Sequence, residues 1–263
     1  MGLPPKRVVP NKFSIQPWTG ANEGEKIIIY GDSGMGKTSL ASMAPDPVFI
    51  GLDDGGRKIR NPKTGEPLQF IDGITIFQDV REVLQQVSLF SQYKTIVIDT
   101  ITALENLAVP YVCATVPTEK GAKVSSIEGY GWNKGYRHLW DVMRLILQDC
   151  DGLIRAGKNV IMVAQSKPAK VANAGGEDFL CDTPSLYAGQ PSIAASFVEW
   201  TDHVLAIRYN NLTVDKKKVS GSERVIFTYP EPYFKAKSRT IKEPVVSFSA
   251  SNDDSIWRFL FGA

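Results

Sequence analysis

Short, continuous apolar runs punctuate this chain, and each ends in glycine or a polar residue. The first is Lys26-Ile27-Ile28-Ile29-Tyr30, closed by Gly31. Pro47–Gly51, Thr95–Asp99, Asn159–Gln165 and His203–Ile207 follow, with weaker runs at Arg224–Phe227 and Val245–Phe248. Runs of five to seven β-branched and apolar residues without alternation predict strands buried on both faces, as in a parallel sheet. Between them the period changes. Val80, Val83, Leu84, Val87 and Phe90 recur at helical spacing after Asp79, read as capping residue. Tyr136, Leu139, Trp140, Met143, Ile146, Leu147, Cys150 and Ile154 form a longer stripe that Gly157 stops. A third, short helix is expected from Thr38 to about Met43. Strands alternating with helices predict an α/β fold, a mainly parallel central sheet with helices on both faces and extra strands near the carboxyl end. Residues 1–25 are polar and hold four prolines, and read as an arm before a core spanning 26–263. Two stretches, 113–132 and 166–192, lack periodicity and are expected to be functional loops.

Composition adds exclusions. With 263 residues, 43% of them hydrophobic, the chain can bury one large core. A net charge of +2 gives no global field for nucleic acid, so any such binding rests on local clusters. Cys113, Cys150 and Cys181 have no metal spacing and predict no disulfide framework. His138 and His203 have no metal partner nearby in the pattern. No run is long enough to span a bilayer and the first residues lack a signal sequence, so a soluble cytoplasmic protein is expected, without membrane partners.

The chemistry concentrates at strand ends, where ligands sit in open α/β sheets. Gly31-Asp32-Ser33-Gly34-Met35-Gly36-Lys37-Thr38 satisfies the complete P-loop pattern, and it follows a strand and opens a helix, as the motif requires. Glycines let consecutive amides converge on phosphate oxygens, and the helix amino terminus adds its dipole. Lys37 is expected on the β and γ phosphates, the Thr38 hydroxyl on Mg2+, and Ser39 beside them. Asp99, at the end of an apolar strand, takes the place of the second magnesium-organising carboxylate. The cofactors these motifs require are a nucleoside triphosphate and Mg2+; no guanine-specifying Asn-Lys-x-Asp string occurs.

Taken together, four segments resemble RecA-like P-loop ATPases, and in particular the small phage-encoded RecA-core (AAA-type) proteins, some of them single-strand annealing or recombination proteins. The segments are the P-loop, Val48–Gly56, Val97–Leu104 and Phe234–Arg239, and the likeness covers about residues 26–243. The resemblance implies that Asp53, or Asp54 beside it, activates the attacking water, although Glu is usual there. It implies that the nucleotide is ATP and that Gln165 senses its γ-phosphate. It also implies that Lys237 and Arg239, with Lys235 a weaker candidate, reach the nucleotide of an adjacent subunit in a homo-oligomer. Residues 205–245 carry nine cations against four acids, including Lys216-Lys217-Lys218 at an expected hairpin tip.

By the same resemblance, the two aperiodic stretches line a channel for single-stranded DNA. The first carries Lys120, Lys123, Tyr130, Trp132, Lys134 and Tyr136, the second Lys167, Lys170, Phe179 and Tyr187. Cations suit phosphates and rings suit unstacked bases. The function implied is a DNA-dependent ATPase of phage recombination, annealing or replication, working in the host cytoplasm, with a single-strand binding or replication protein as a further partner. Asp at position 53 and the polar arm (Phe13 or Ile15 as anchor) keep a second reading open: a nucleotide-gated loader or interaction module that hydrolyses little. A small-molecule kinase is less favoured, because no lid-like arginine cluster lies between the nucleotide motifs.

Overall fold

The computed structural model describes residues 22–262 except 174, 211, 216, 217 and 222, together with 15, 17, 19 and 20; the side chains of 211–222 are not described. The expected strands are present as β1 (Lys26–Gly31), β2 (Pro47–Gly51), β3 (Thr95–Asp99), β4 (Asn159–Val171), β6 (His203–Tyr209), β9 (Arg224–Phe227) and β10 (Val245–Ser247). Three further strands, β5 (Phe179–Pro184), β7 (Leu212–Asp215) and β8 (Lys218–Gly221), were not apparent from the pattern. The main sheet runs β10-β9-β6-β1-β4-β3-β2, and β5 pairs with the distal part of β4. The pairs β6–β1, β1–β4, β4–β3 and β3–β2 are parallel; β9 and β10 add antiparallel strands at one edge. This is the α/β class read from the sequence.

Each central strand is buried on both sides because successive residues feed two cores. Ile28, Tyr30, Ile50, Ile98 and Met162 point to one core, with α2 (Phe77–Gln85), α3 (Ile101–Thr115), α4 (Lys134–Arg155) and α5 (Ile193–Trp200). Ile27, Ile29, Phe49, Val97 and Ile161 point to the other, with α1 (Lys37–Ser42) and α6 (Ser255–Phe261). The α6 indole locks onto α1, with Trp257 Nε1 donating to Leu40 O at 2.9 Å.

Several expectations change. α2 begins at Phe77, so Asp79 sits inside its first turn and reaches back to accept from the Thr75 and Ile76 amides at 2.8 and 2.9 Å. It caps the helix from within instead of preceding it. Residues 101–115 form a helix that the pattern did not reveal, since apolar residues occupy nearly all of its faces and Pro110 lies inside it. The stretch 166–192 is not an open loop: Ser166–Val171 pairs with Phe179–Pro184 as an antiparallel ribbon. The expected arm falls mostly outside the described residues, Phe13 included. Its last residues belong to the body, with Gly24 N donating to Ile154 O and Glu25 Oε2 lying 3.0 Å from His203 Nε2. Lys216 and Lys217, expected at a hairpin tip, also lie outside the described residues.

Candidate functional site

β1, β2 and β3 end together at the site, and β4 passes it at Gln165, where its parallel pairing with β1 stops and its ribbon with β5 begins. Register aligns Gly31 with Gln165 and Gly51 with Asp99, so the P-loop, the Asp53 turn, Asp99 and Gln165 converge at one edge of the sheet. The P-loop runs from the end of β1 into α1 through Gly36, which has φ of 91° and would be strained by any side chain.

Lys37 is only 6% exposed. Its ammonium donates to Gly31 O at 2.9 Å, Asp32 O at 2.8 Å and Gln165 Oε1 at 3.1 Å, which uses all three N–H bonds. Burial pulls its pKa down, while Asp99, Asp32 and Asp53 act in the opposite direction. The Thr38 hydroxyl donates to Asp99 Oδ2 at 2.7 Å. Asp99 is 5% exposed, and burial raises its pKa to about 6, reinforced by the nearby charge of Asp53 and opposed by Thr38 and Lys37.

Asp53 caps the short 3-10 turn Asp54–Gly56 by accepting from Gly55 N at 2.9 Å. Its other oxygen accepts from Thr100 Oγ1 at 3.4 Å. Asp53, Asp54 and Asp99 share a cleft of about 300 Å³ whose apolar wall includes Phe49, Leu68 and Phe70. Of the two acids, Asp53 is the one tied to the Asp99–Thr100 segment. Asp32, Ser33 and Gly34 form the exposed crest of the loop, Met35 is buried beneath it, and Ser39 lies one turn into α1 with its carbonyl accepting from Ser42 Oγ.

The oxygen pair Thr38–Asp99 fits a magnesium ion: hard ligands, one of them a carboxylate held without full hydration beside a phosphate-binding loop. These two side chains would hold Mg2+, which would supply positive charge against the phosphate oxygens. Gln165 occupies the position expected of a phosphate sensor, touching the P-loop lysine. Its backbone N–H donates to Thr102 Oγ1 at 3.3 Å. Thr100 and Thr102 follow Asp99 directly, so their place in the site was available in the string Asp99-Thr100-Ile101-Thr102.

The late cations go elsewhere. Lys237 pairs with Val204 near the start of β6, at the end of the sheet opposite the P-loop. Its ammonium donates to Val198 O at 2.6 Å and Glu199 O at 3.3 Å, the last carbonyls of α5, where a cation suits the helix dipole. Arg239 pairs with Asp202 at 2.9 Å. Neither reaches the nucleotide site of its own chain.

The two stretches expected to bind DNA do meet. Tyr136 and Tyr187 stack at 4.3 Å, and Tyr187 Oη donates to Asn133 Oδ1 at 3.1 Å. Those rings are occupied by each other, Tyr130 donates to the carbonyls of Val112 and Val116, and Lys134 and Lys170 pair with Glu119 and Asp178. Trp132, at 96% exposure, and Phe179 remain turned outward, with Lys120 and Lys123 on the surface. The cysteines are free and buried. Among the described residues, no helix is long and apolar enough to cross a membrane.

A family profile described as an AAA domain matches residues 23–240. The SPbeta prophage-derived uncharacterized protein YorG of Bacillus subtilis (strain 168) is 23% identical over 236 residues, covering 88% of this chain. The chain spans 64% of the length of that relative. Among solved structures, the KaiC-like protein PH0186 from Pyrococcus horikoshii OT3 is 14% identical with a TM-score of 0.42, the match covering 86% of this chain and 90% of that one.

Proposed function

This chain belongs to the AAA domain family and carries a P-loop at the end of a mainly parallel sheet, and from that premise we propose that it is a RecA-like, phage-type ATP hydrolase acting on single-stranded DNA in recombination, annealing or replication. The observation that carries the nucleotide part is the Thr38–Asp99 hydrogen bond at 2.7 Å beside a P-loop lysine that also touches Gln165. In this reading the P-loop amides and Lys37 bind the triphosphate, and Thr38 and Asp99 hold Mg2+. Asp53 orients the attacking water within the cleft it shares with Asp99. Gln165 changes partner as the γ-phosphate leaves, and β4 carries that change into the ribbon it forms with β5.

The DNA part is supported by the meeting of the 130–136 and 185–190 segments through Tyr136 and Tyr187, and by the outward Trp132. A ring so placed stacks on an unpaired base. Arg239 acts across a subunit boundary in a homo-oligomer, since its distance from its own P-loop leaves it no role there; Lys237 serves α5. The prophage-derived name of YorG supports a phage setting in a host cytoplasm, with a single-strand binding or replication protein as partner. A second reading, a nucleotide-gated loader with little turnover, is favoured by one observation: the short Asp53 side chain is committed to Gly55 N and Thr100.

The test is ATP turnover with and without single-stranded DNA. Lys37→Ala should lower turnover by roughly 10²–10³, the usual loss on removing a charge-stabilising donor. Equal turnover in that variant sinks the enzyme reading. Turnover indifferent to DNA, with nucleotide still bound, turns the choice to the loader.

A further inference from the structure

The P-loop is gripped from outside by a residue 189 positions further along the chain. Arg224, the first residue of β9, donates from Nη1 to Met35 O at 3.2 Å and from Nη2 to Ser249 O at 3.4 Å. Its guanidinium lies 4.8 Å above the Phe248 ring, which is fully buried. A charge-assisted hydrogen bond and a ring beneath the guanidinium hold its plane in one orientation. The fit is close: a Cβ at Gly36 would stand 2.9 Å from Arg224 Nη1 and 3.1 Å from Phe248 Cε1. A side chain at Gly36 would therefore press on the guanidinium and the ring as well as being strained by the φ of 91°.

Peptide planarity turns this grip into a functional statement. In a trans peptide the C=O of one residue and the N–H of the next point in opposite directions. The Met35–Gly36 peptide is not among the cis bonds. A Met35 carbonyl held toward Arg224 therefore aims the Gly36 N–H away from Arg224, toward the inside of the loop. We infer that Arg224 is a positioning residue of the P-loop: by anchoring the Met35 carbonyl over Phe248, it presets the Gly36 amide toward the phosphate of the bound nucleotide. This rests on the nucleotide-binding reading above. It gives the late strands β9 and β10 a purpose beyond closing the sheet edge, since one supplies Arg224 and the chain just after the other supplies Phe248.

The role makes a distinctive demand. Arg224 acts on phosphate binding through the loop, so its loss weakens inorganic tripolyphosphate as much as ATP and leaves turnover at saturating ATP nearly unchanged. The experiment measures calorimetric affinity for Mg-ATP and for Mg-tripolyphosphate on wild type, Arg224→Met and Arg224→Lys, with melting temperatures alongside. Arg224→Met, which keeps the stem over Phe248 and removes the donor, is expected to bind both ligands about tenfold more weakly, raising KM with kcat within about twofold. A ΔΔG of that size corresponds to one charge-assisted hydrogen bond. Arg224→Lys, which can still donate to Met35 O, should recover most of the loss, and it carries the measurement if the Met variant does not fold. Wild-type affinity in Arg224→Met overturns the inference, as does a loss confined to ATP, which would put Arg224 against the nucleoside. So does a Lys variant as weak as the Met variant. A wild-type protein that binds neither ligand removes the nucleotide reading itself, and this inference with it.

Discussion

Asp99→Asn should make the nucleotide-free protein more stable while disabling its metal site. Asp99 is buried, and its carboxyl pKa rises from 3.8 to about 6, chiefly because burial strips water from the charged form. Between these values the folded protein holds a proton that the unfolded chain has released. Stability contributed by this group is thus full below 3.8 and is lost as pH rises through about 6. A shift to about 6 corresponds to about 3 kcal/mol of destabilisation at pH 7.5, about half of that at pH 5 and little at pH 4. Asparagine keeps the shape, stays neutral and can still accept the Thr38 hydroxyl. Urea denaturation without nucleotide should therefore show Asp99→Asn more stable than wild type by about 1–3 kcal/mol at pH 7.5, with the gap closing toward pH 4. Adding Mg-ATP should reverse the order, because ligand bound only to the folded wild type stabilises it by mass action. A variant less stable than wild type at pH 7.5, or a gap that does not change with pH, would refute the account of Asp99 as a desolvated carboxylate awaiting a cation.

Asp53→Asn should lower turnover by roughly 10²-fold with nucleotide affinity nearly unchanged, the range for losing a general base, while Asp54→Asn should leave both close to wild type in steady-state assays. Tyr30→Phe removes a buried hydroxyl that donates to the Lys235 and Asp182 carbonyls. Its urea midpoint should fall by an amount equivalent to about 0.5–1.5 kcal/mol, the usual net contribution of one hydrogen bond, since Asp182 O keeps the Lys235 N–H as donor. Trp132→Ala should weaken single-stranded DNA by about 1–3 kcal/mol in fluorescence titration, as for one lost base stack, without moving the melting temperature; unchanged DNA affinity would remove Trp132 from the interface.

Much of the fold was legible because each central strand is a short apolar run and each neighbouring amphipathic helix repeats at its own period. That signal is local and strong for β1, β3 and α4. It failed for α3, whose apolar residues leave no polar face to mark a helix, and for β5, whose exposed Phe179 and Leu180 give no clean pattern. Asp79 was misplaced by one turn, since a carboxylate can cap a helix from inside as well as from in front.

The P-loop and the strand-end place of Asp99 were determined by the chain locally, because a backbone that must receive a polyanion demands glycine, lysine and a hydroxyl at fixed spacing; Gln165, expected to end its strand, instead lies where β4 passes from parallel pairing into the ribbon with β5. Only the packed sheet decided which distant groups join them. Parallel register set Gln165 against Lys37, and sent Lys237 and Arg239 to the far end. The antiparallel edge brought Arg224 and Phe248 against Met35. Such contacts depend on strand order and pairing, which are summed over the whole core and leave no mark in the spacing of neighbouring residues.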